Sequence, residues 1–229
     1  MREIVLDTET TGFDPESGDR IVEIGAVELL NHLPTGRTYH QYINPERAMP
    51  KDAFEVHGLG DDFLRDKPIF AKIGRAFLDF ILDDKLIIHN AAFDMKFLNA
   101  ELGWMNLSVI PMAQATDTLA IARKKFPGSP ASLDALCRRF GIDNSSRTLH
   151  GALLDSEILA EVYLELIGGR QPDFGLGRTS STSSAGTGAD EWRPKPRPDP
   201  LPARVTKQEA AAHAAFVDSI DGAFWKKLD

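Results

Sequence analysis

The chain has 229 residues, 42% of them hydrophobic and 26% charged, with a formal net charge of −8 at pH 7. That length allows one ordinary core with residues left over, and the acidic balance argues against tight nonspecific adhesion to nucleic acid, which lysine and arginine drive by releasing counterions from phosphates. A single cysteine, Cys137, excludes an internal disulfide and argues against a cysteine-rich zinc site; with no apolar run of the ~18 to 20 residues that span a bilayer and no secretory pattern, a cytoplasmic protein without a membrane partner is expected.

The first predicted strand covers about residues 2 to 8 and leads into "VLDTETTGFD". Residues i and i+2 of a strand share a face, so Asp7 and Glu9 can converge on one point. "IVL" reads as a buried central strand, which puts the pair at the carboxyl end of the sheet, where open mixed sheets keep ligands. The plainer alternative is a pair of strand-end polar residues around the turn "TTGFD". Further strands are predicted at about 20 to 30, 37 to 43, 85 to 89 and 112 to 116, and helices at about 69 to 82, 92 to 102, 117 to 125, 132 to 140 and 152 to 167. Three early strands followed by strands alternating with helices predict an α/β domain: a mixed sheet flanked by helices.

Two of those helices carry an acid on their apolar stripe. Asp94 stands four residues before Leu98 and eight before Leu102, and Asp155 stands three and four residues before Ile158 and Leu159. Singly, Asp94 could cap a helix after Asn90, and Asp155 could sit in a first turn, helped by the helix dipole. Asp117, in "ATDTLA", reads as an N-cap. A buried ionised carboxylate needs a partner, and no run of arginines or lysines presents itself. Four converging acids are reconciled by hard divalent cations, which prefer oxygen ligands and, as a pair, activate water and stabilise a leaving oxygen of a phosphodiester. His150, set on a loop by Gly151, is the natural base for such a water.

Near residue 170 the composition changes. Residues 171–204 read as a linker, flexible in its Ser/Gly/Thr half and extended where prolines recur between Pro194 and Pro202. Residues 205–229 read as a short helical segment with a capping box, Thr206 and Glu209, and an apolar stripe of Ala212, Phe216, Ile220 and Phe224 that needs a partner. The third division, residues 1–170, is expected to be the folded domain that carries the acids.

Taken together, "VLDTETTG", "IHNAAFDMKFL" and "LHGALLDSEILAEVY" resemble the three motifs of the DEDDh 3′–5′ exonucleases. Within them the chain is similar to the epsilon proofreading subunits of bacterial DNA polymerase III, in "VHGLGDDFLRDKPIF", in the region leading to His150 and in the tail; only the linker lacks a counterpart. The resemblance implies a ribonuclease-H-like fold with a five-stranded sheet, two Mg²⁺ or Mn²⁺ ions, and removal of nucleotides from a DNA 3′ end. It implies metal ligation by Asp7, Glu9, Asp94 and Asp155, a general base in His150, and a nucleotide pocket lined by Thr10, Thr11, His57, Asn90 and Phe93. It also implies that the tail binds the polymerase catalytic subunit, and "QPDFGL" looks like a sliding-clamp peptide carried by Gln171, Phe174 and Leu176. Rival expectations are an exoribonuclease with the same chemistry, a non-catalytic tether, and a phosphatase using Asp7 as nucleophile.

Overall fold

The structure is a computed structural model that describes residues 1–145, 147, 149–169 and 205–220. The chain divides into two compact units, Met1–Leu176 and Gly177–Asp229. In the first, β1 (Arg2–Thr10), β2 (Ile21–Leu30), β3 (Leu33–Tyr42), β4 (Lys85–Ile88) and β5 (Ala115–Asp117) form one sheet in the order β3-β2-β1-β4-β5. The first three strands pair antiparallel, and β1, β4 and β5 pair parallel. Around them lie α1 (Lys51–His57), α2 (Asp61–Leu64), α3 (Phe70–Ile81), α4 (Ala91–Trp104), α5 (Thr118–Lys125), α6 (Leu133–Phe140) and α7 (Ala152–Ile167). This is the expected mixed sheet flanked by helices.

The period of two in β1 divides the core. Ile4 and Leu6 join one apolar cluster with Phe70, Phe77, Phe97 and Leu98 of α3 and α4. Val5 joins the other with Leu136, Leu159 and Val162 of α6 and α7. By the same alternation Glu3, Asp7 and Glu9 belong to the α7 face, and Thr8 belongs to the α4 face.

Pairing between β1 and β4 runs only from Glu3 to Val5, whereas pairing with β2 continues to Thr10. Past Val5, β1 therefore has no parallel neighbour, and the sheet opens beside Asp7 and Glu9.

Several elements differ from expectation. β3 begins at Leu33 because Asn31 and His32, with φ of 51° and 67°, close a two-residue hairpin without a glycine. β5 is only three residues long, after a 3₁₀ turn at Met112–Gln114. The helices α1 and α2 were not predicted, since seven and four residues are too few to display a helical period.

Among the described residues no helix is long and apolar enough to cross a membrane. In the second unit the structure describes α8 (Lys207–Asp218), opened by the expected reciprocal capping box between Thr206 and Glu209. The linker, Phe224, and the clamp-peptide residues Gln171, Phe174 and Leu176 lie outside the described residues.

Candidate active site

Three elements bring the predicted acids together. On β1, Asp7 is half-buried and Glu9 buried. On α4, Asp94 sits in the first turn, 3% exposed, and the Thr8 hydroxyl donates to its Oδ1 at 2.7 Å. The α4 helix starts at Asn90, held at φ 68°, whose amide N–H donates to Asp117 Oδ1. Asp117 also accepts from the amides of Leu119 and Ala120, which is the capping role that the sequence assigns it.

The third acid is set by a glycine. Asp7 lies opposite Gly25 on β2, and a Cβ at Gly25 would fall 2.1 Å from the Leu153 nitrogen and 2.2 Å from the Ala152 carbonyl carbon. Only a bare backbone lets the start of α7 press against the sheet, and Ser156 Oγ fastens it by donating to the Gly25 carbonyl at 2.9 Å. That contact delivers Asp155, also 3% exposed, to the end of β1.

His150 stands on the loop just before Gly151, the N-cap of α7, and its amide donates to the Val56 carbonyl at the end of α1. Its ring is about half exposed, at 49%. Glu9, His150 and Asp155 each place a ligand atom within 4.8 Å of the other two. The four acids and His150 line a cavity of about 480 Å³, with Asn90 and Phe93 also on its wall.

Crowding these carboxylates has an electrostatic cost. Burial, reinforced by Asp94, Glu9 and Asp155, holds the Asp7 carboxyl well above the usual aspartate range. Burial, with repulsion from Asp155, Glu23 and Asp94, pushes Glu9 to about 8. Asp94 is raised to about 7 by burial, against the opposing hydrogen bond from Thr8. Asp155 goes the other way: burial would raise it, but hydrogen bonds from His150 and Arg147 hold it below its ordinary value.

No run of arginines or lysines marks a partner in the sequence, yet a single cation, Arg147, reaches the cluster. Its guanidinium forks onto Asp155, Nε to Oδ1 at 2.5 Å and one terminal nitrogen to Oδ2 at 2.7 Å. One cation still leaves Asp7, Glu9 and Asp94 facing one another. A set of hard oxygen donors in this state fits divalent metal ions, whose charge would remove the repulsion.

A second cavity, of about 620 Å³, is bordered by Thr10, Thr11, His57 and Phe93, together with Phe13 and Val56. Phe93 and Glu9 line both cavities, so the two meet at the acids. The threonine hydroxyls are engaged locally: Thr10 donates to the Gly12 carbonyl, and Thr11 accepts from the Arg20 amide. His57 is buried, and burial holds its ring below the ordinary histidine value.

The family described as Exonuclease (RNase_T) matches residues 4–163. The DNA polymerase III subunit epsilon of Rickettsia felis is 51% identical over 96% of this chain and 97% of its own length. That of Escherichia coli K12 is 51% identical over 74% of this chain and 72% of its own length. The chain belongs to the DNA polymerase III epsilon subunits of the exonuclease family. Among solved structures, exonuclease X in complex with 5′ overhanging duplex DNA has a TM-score of 0.57 at 24% identity, covering 72% of this chain and 90% of that one. The nuclease domain of 3′hExo, a DEDDh family member bound to rAMP, has a TM-score of 0.60 at 22% identity, covering 72% and 91%. The fold is the ribonuclease-H-like exonuclease fold.

Four residues of this site escaped the sequence reading. Thr8 and Gly25 matter only through partners 86 and 131 positions away in the chain, Asp94 and Ser156. Arg147 looks like an ordinary loop charge in "SSRTLHG". Arg123, on the first cavity's wall, sits in "ARKK", which reads equally as the basic last turn of a helix.

Proposed function

We propose that this chain is the proofreading exonuclease of a replicative DNA polymerase III in the cytoplasm, removing mispaired nucleotides from primer 3′ ends as nucleoside monophosphates. The observation that carries the reading is the convergence of four acids from three elements on one cavity, with an accessible histidine at its rim. Asp7, Glu9, Asp94 and Asp155 would hold two divalent cations, Mg²⁺ or Mn²⁺, which supply Lewis acidity toward the scissile phosphate and charge stabilisation at the leaving oxygen. His150, exposed and beside Glu9 and Asp155, takes the proton of the attacking water. The neighbouring cavity, with Thr10, Thr11, His57 and Phe93, accepts the terminal nucleotide, and Asn90 lines the acid cavity beside it. Arg123, which makes no hydrogen bond or ion pair among the described residues, is a free guanidinium for a substrate phosphate.

A mispaired end frays more readily than a matched one, so a site that admits only a single-stranded terminus selects errors without reading bases. With a net charge of −8, the chain relies on partners for its grip on DNA. Residues 205–229 bind the polymerase catalytic subunit, and Gln171, Phe174 and Leu176 engage the sliding clamp. The direct test is a 5′-labelled primer with a matched or mismatched 3′ terminus, alongside an RNA equivalent. Metal-dependent shortening of DNA, faster at the mismatch and abolished by EDTA, is expected. Shortening of RNA alone would move the assignment to RNA trimming, and shortening of neither would leave a tethering role.

A further inference from the structure

Arg147 is placed where a divalent ion and an arginine want the same oxygens. Its side chain is 9% exposed, and its fork occupies both oxygens of Asp155. Its remaining terminal nitrogen lies 2.8 Å from Asp134 Oδ1, and the nitrogen on Asp155 Oδ2 also lies 2.7 Å from His150 Nδ1. One guanidinium thus ties a ligand, the base and an acid at the rim.

Asp155 does not need an arginine to orient it. It belongs to the first turn of α7, its own amide is bonded to the Gly151 carbonyl, and the helix is seated on Gly25. Arg147 instead lies on a turn, its amide bonded to the Asn144 carbonyl, outside any helix or strand. Its second anchor, Asp134, is 45% exposed and is fixed by Asn144, so it offers the guanidinium a resting place away from Asp155.

We propose that Arg147 is a resident cation that competes with the divalent metal for Asp155, weakening metal binding while keeping the acid cluster folded. The proposal rests on Asp155 being a metal ligand, as argued above. An ion on Asp155 must share or take an oxygen from the fork and must sit beside a fixed positive charge, and both lower its affinity. Moving the guanidinium toward Asp134 also releases His150 Nδ1, so metal loading and freeing of the base become one event. If Arg147 merely oriented Asp155, removing it would weaken metal binding, so the sign of the effect separates the two roles.

The test is Mn²⁺ binding to the full chain, read by electron paramagnetic resonance, for wild type, R147Q, R147K and D7N. R147Q should bind Mn²⁺ roughly tenfold more tightly or better, the scale of a perturbed metal neighbour, while its melting temperature in EDTA falls and the gain on adding Mn²⁺ widens. R147K, which keeps the charge without the fork, should lie between the two and serves in its place if R147Q does not fold. Equal or weaker binding by the variants overturns the proposal. Wild-type binding no better than that of D7N would instead overturn the metal site itself, and this inference with it.

Discussion

The two ends of one face of β1 solve the same problem differently. At its start, Glu3 is fully buried, yet Tyr163 Oη of α7 donates to its Oε1 at 2.9 Å; His32 Nδ1 lies 2.6 Å from its Oε2 without making a hydrogen bond to it. Next to it, Arg2 is shared among Glu28, Asp84 and the Phe80 carbonyl. At the other end, four and six residues along the same face, Asp7 and Glu9 meet Asp155 of the same helix, and acids outnumber donors. Burial alone therefore does not mark a metal ligand. A buried acid with its own donor holds the fold together, whereas buried acids facing one another are compatible with the fold only if protons or a cation offset their charge.

The largest break in this comparison comes from Asp7→Asn. Primer shortening should fall by about three orders of magnitude, since the proposed ligand and its charge are lost. The variant's melting temperature in EDTA should be no lower than wild type, because a neutral amide relieves the repulsion. A clear loss of stability would mean that this end, too, is built for structure.

Gly25→Ala comes next. The added methyl has no room between β2 and the start of α7, so the helix and Asp155 must shift. Roughly a hundredfold loss of rate is expected for a displacement near an ångström, with about 1–3 kcal/mol of stability lost to overpacking. Denaturant unfolding and the primer assay on the same sample check both numbers.

A pH series in EDTA sharpens the contrast. Glu9, near 8, and Asp94, near 7, hold protons in the folded chain that the unfolded chain releases near 4.5 and 3.8. The folded state binds more protons across that window, so its stability is full below it and is lost as pH rises through about 7 to 8. Melting temperature should drop by several degrees between pH 5 and pH 8.5, and Mn²⁺ should flatten the slope. A slope unaffected by metal would break the argument.

The smallest effect belongs to the paired end. Tyr163→Phe removes the donor to Glu3 and should cost about 1–3 kcal/mol in thermal or denaturant unfolding. Its rate on primer, measured at a temperature where it is folded, should stay within about twofold of wild type. A larger loss of rate would show that the two ends of the strand are coupled.

The sequence by itself determined the parts that rest on local periodicity. The alternation in "VLDTET" placed Asp7 and Glu9 on one face, helical spacing aimed Asp94 and Asp155 inward, and capping chemistry explained Asp117 and Thr206. Only the tertiary structure decided what those acids would meet. Glu3 shares their strand and face, but nothing near it in sequence announces Tyr163. Arg147 acquires its meaning from Asp155 and Asp134 at once. Gly25 matters because a helix that begins 127 residues later lies against it. Periodicity is a property of neighbours in the chain. The energy of a buried charge depends on neighbours in space, and only packing brings those together.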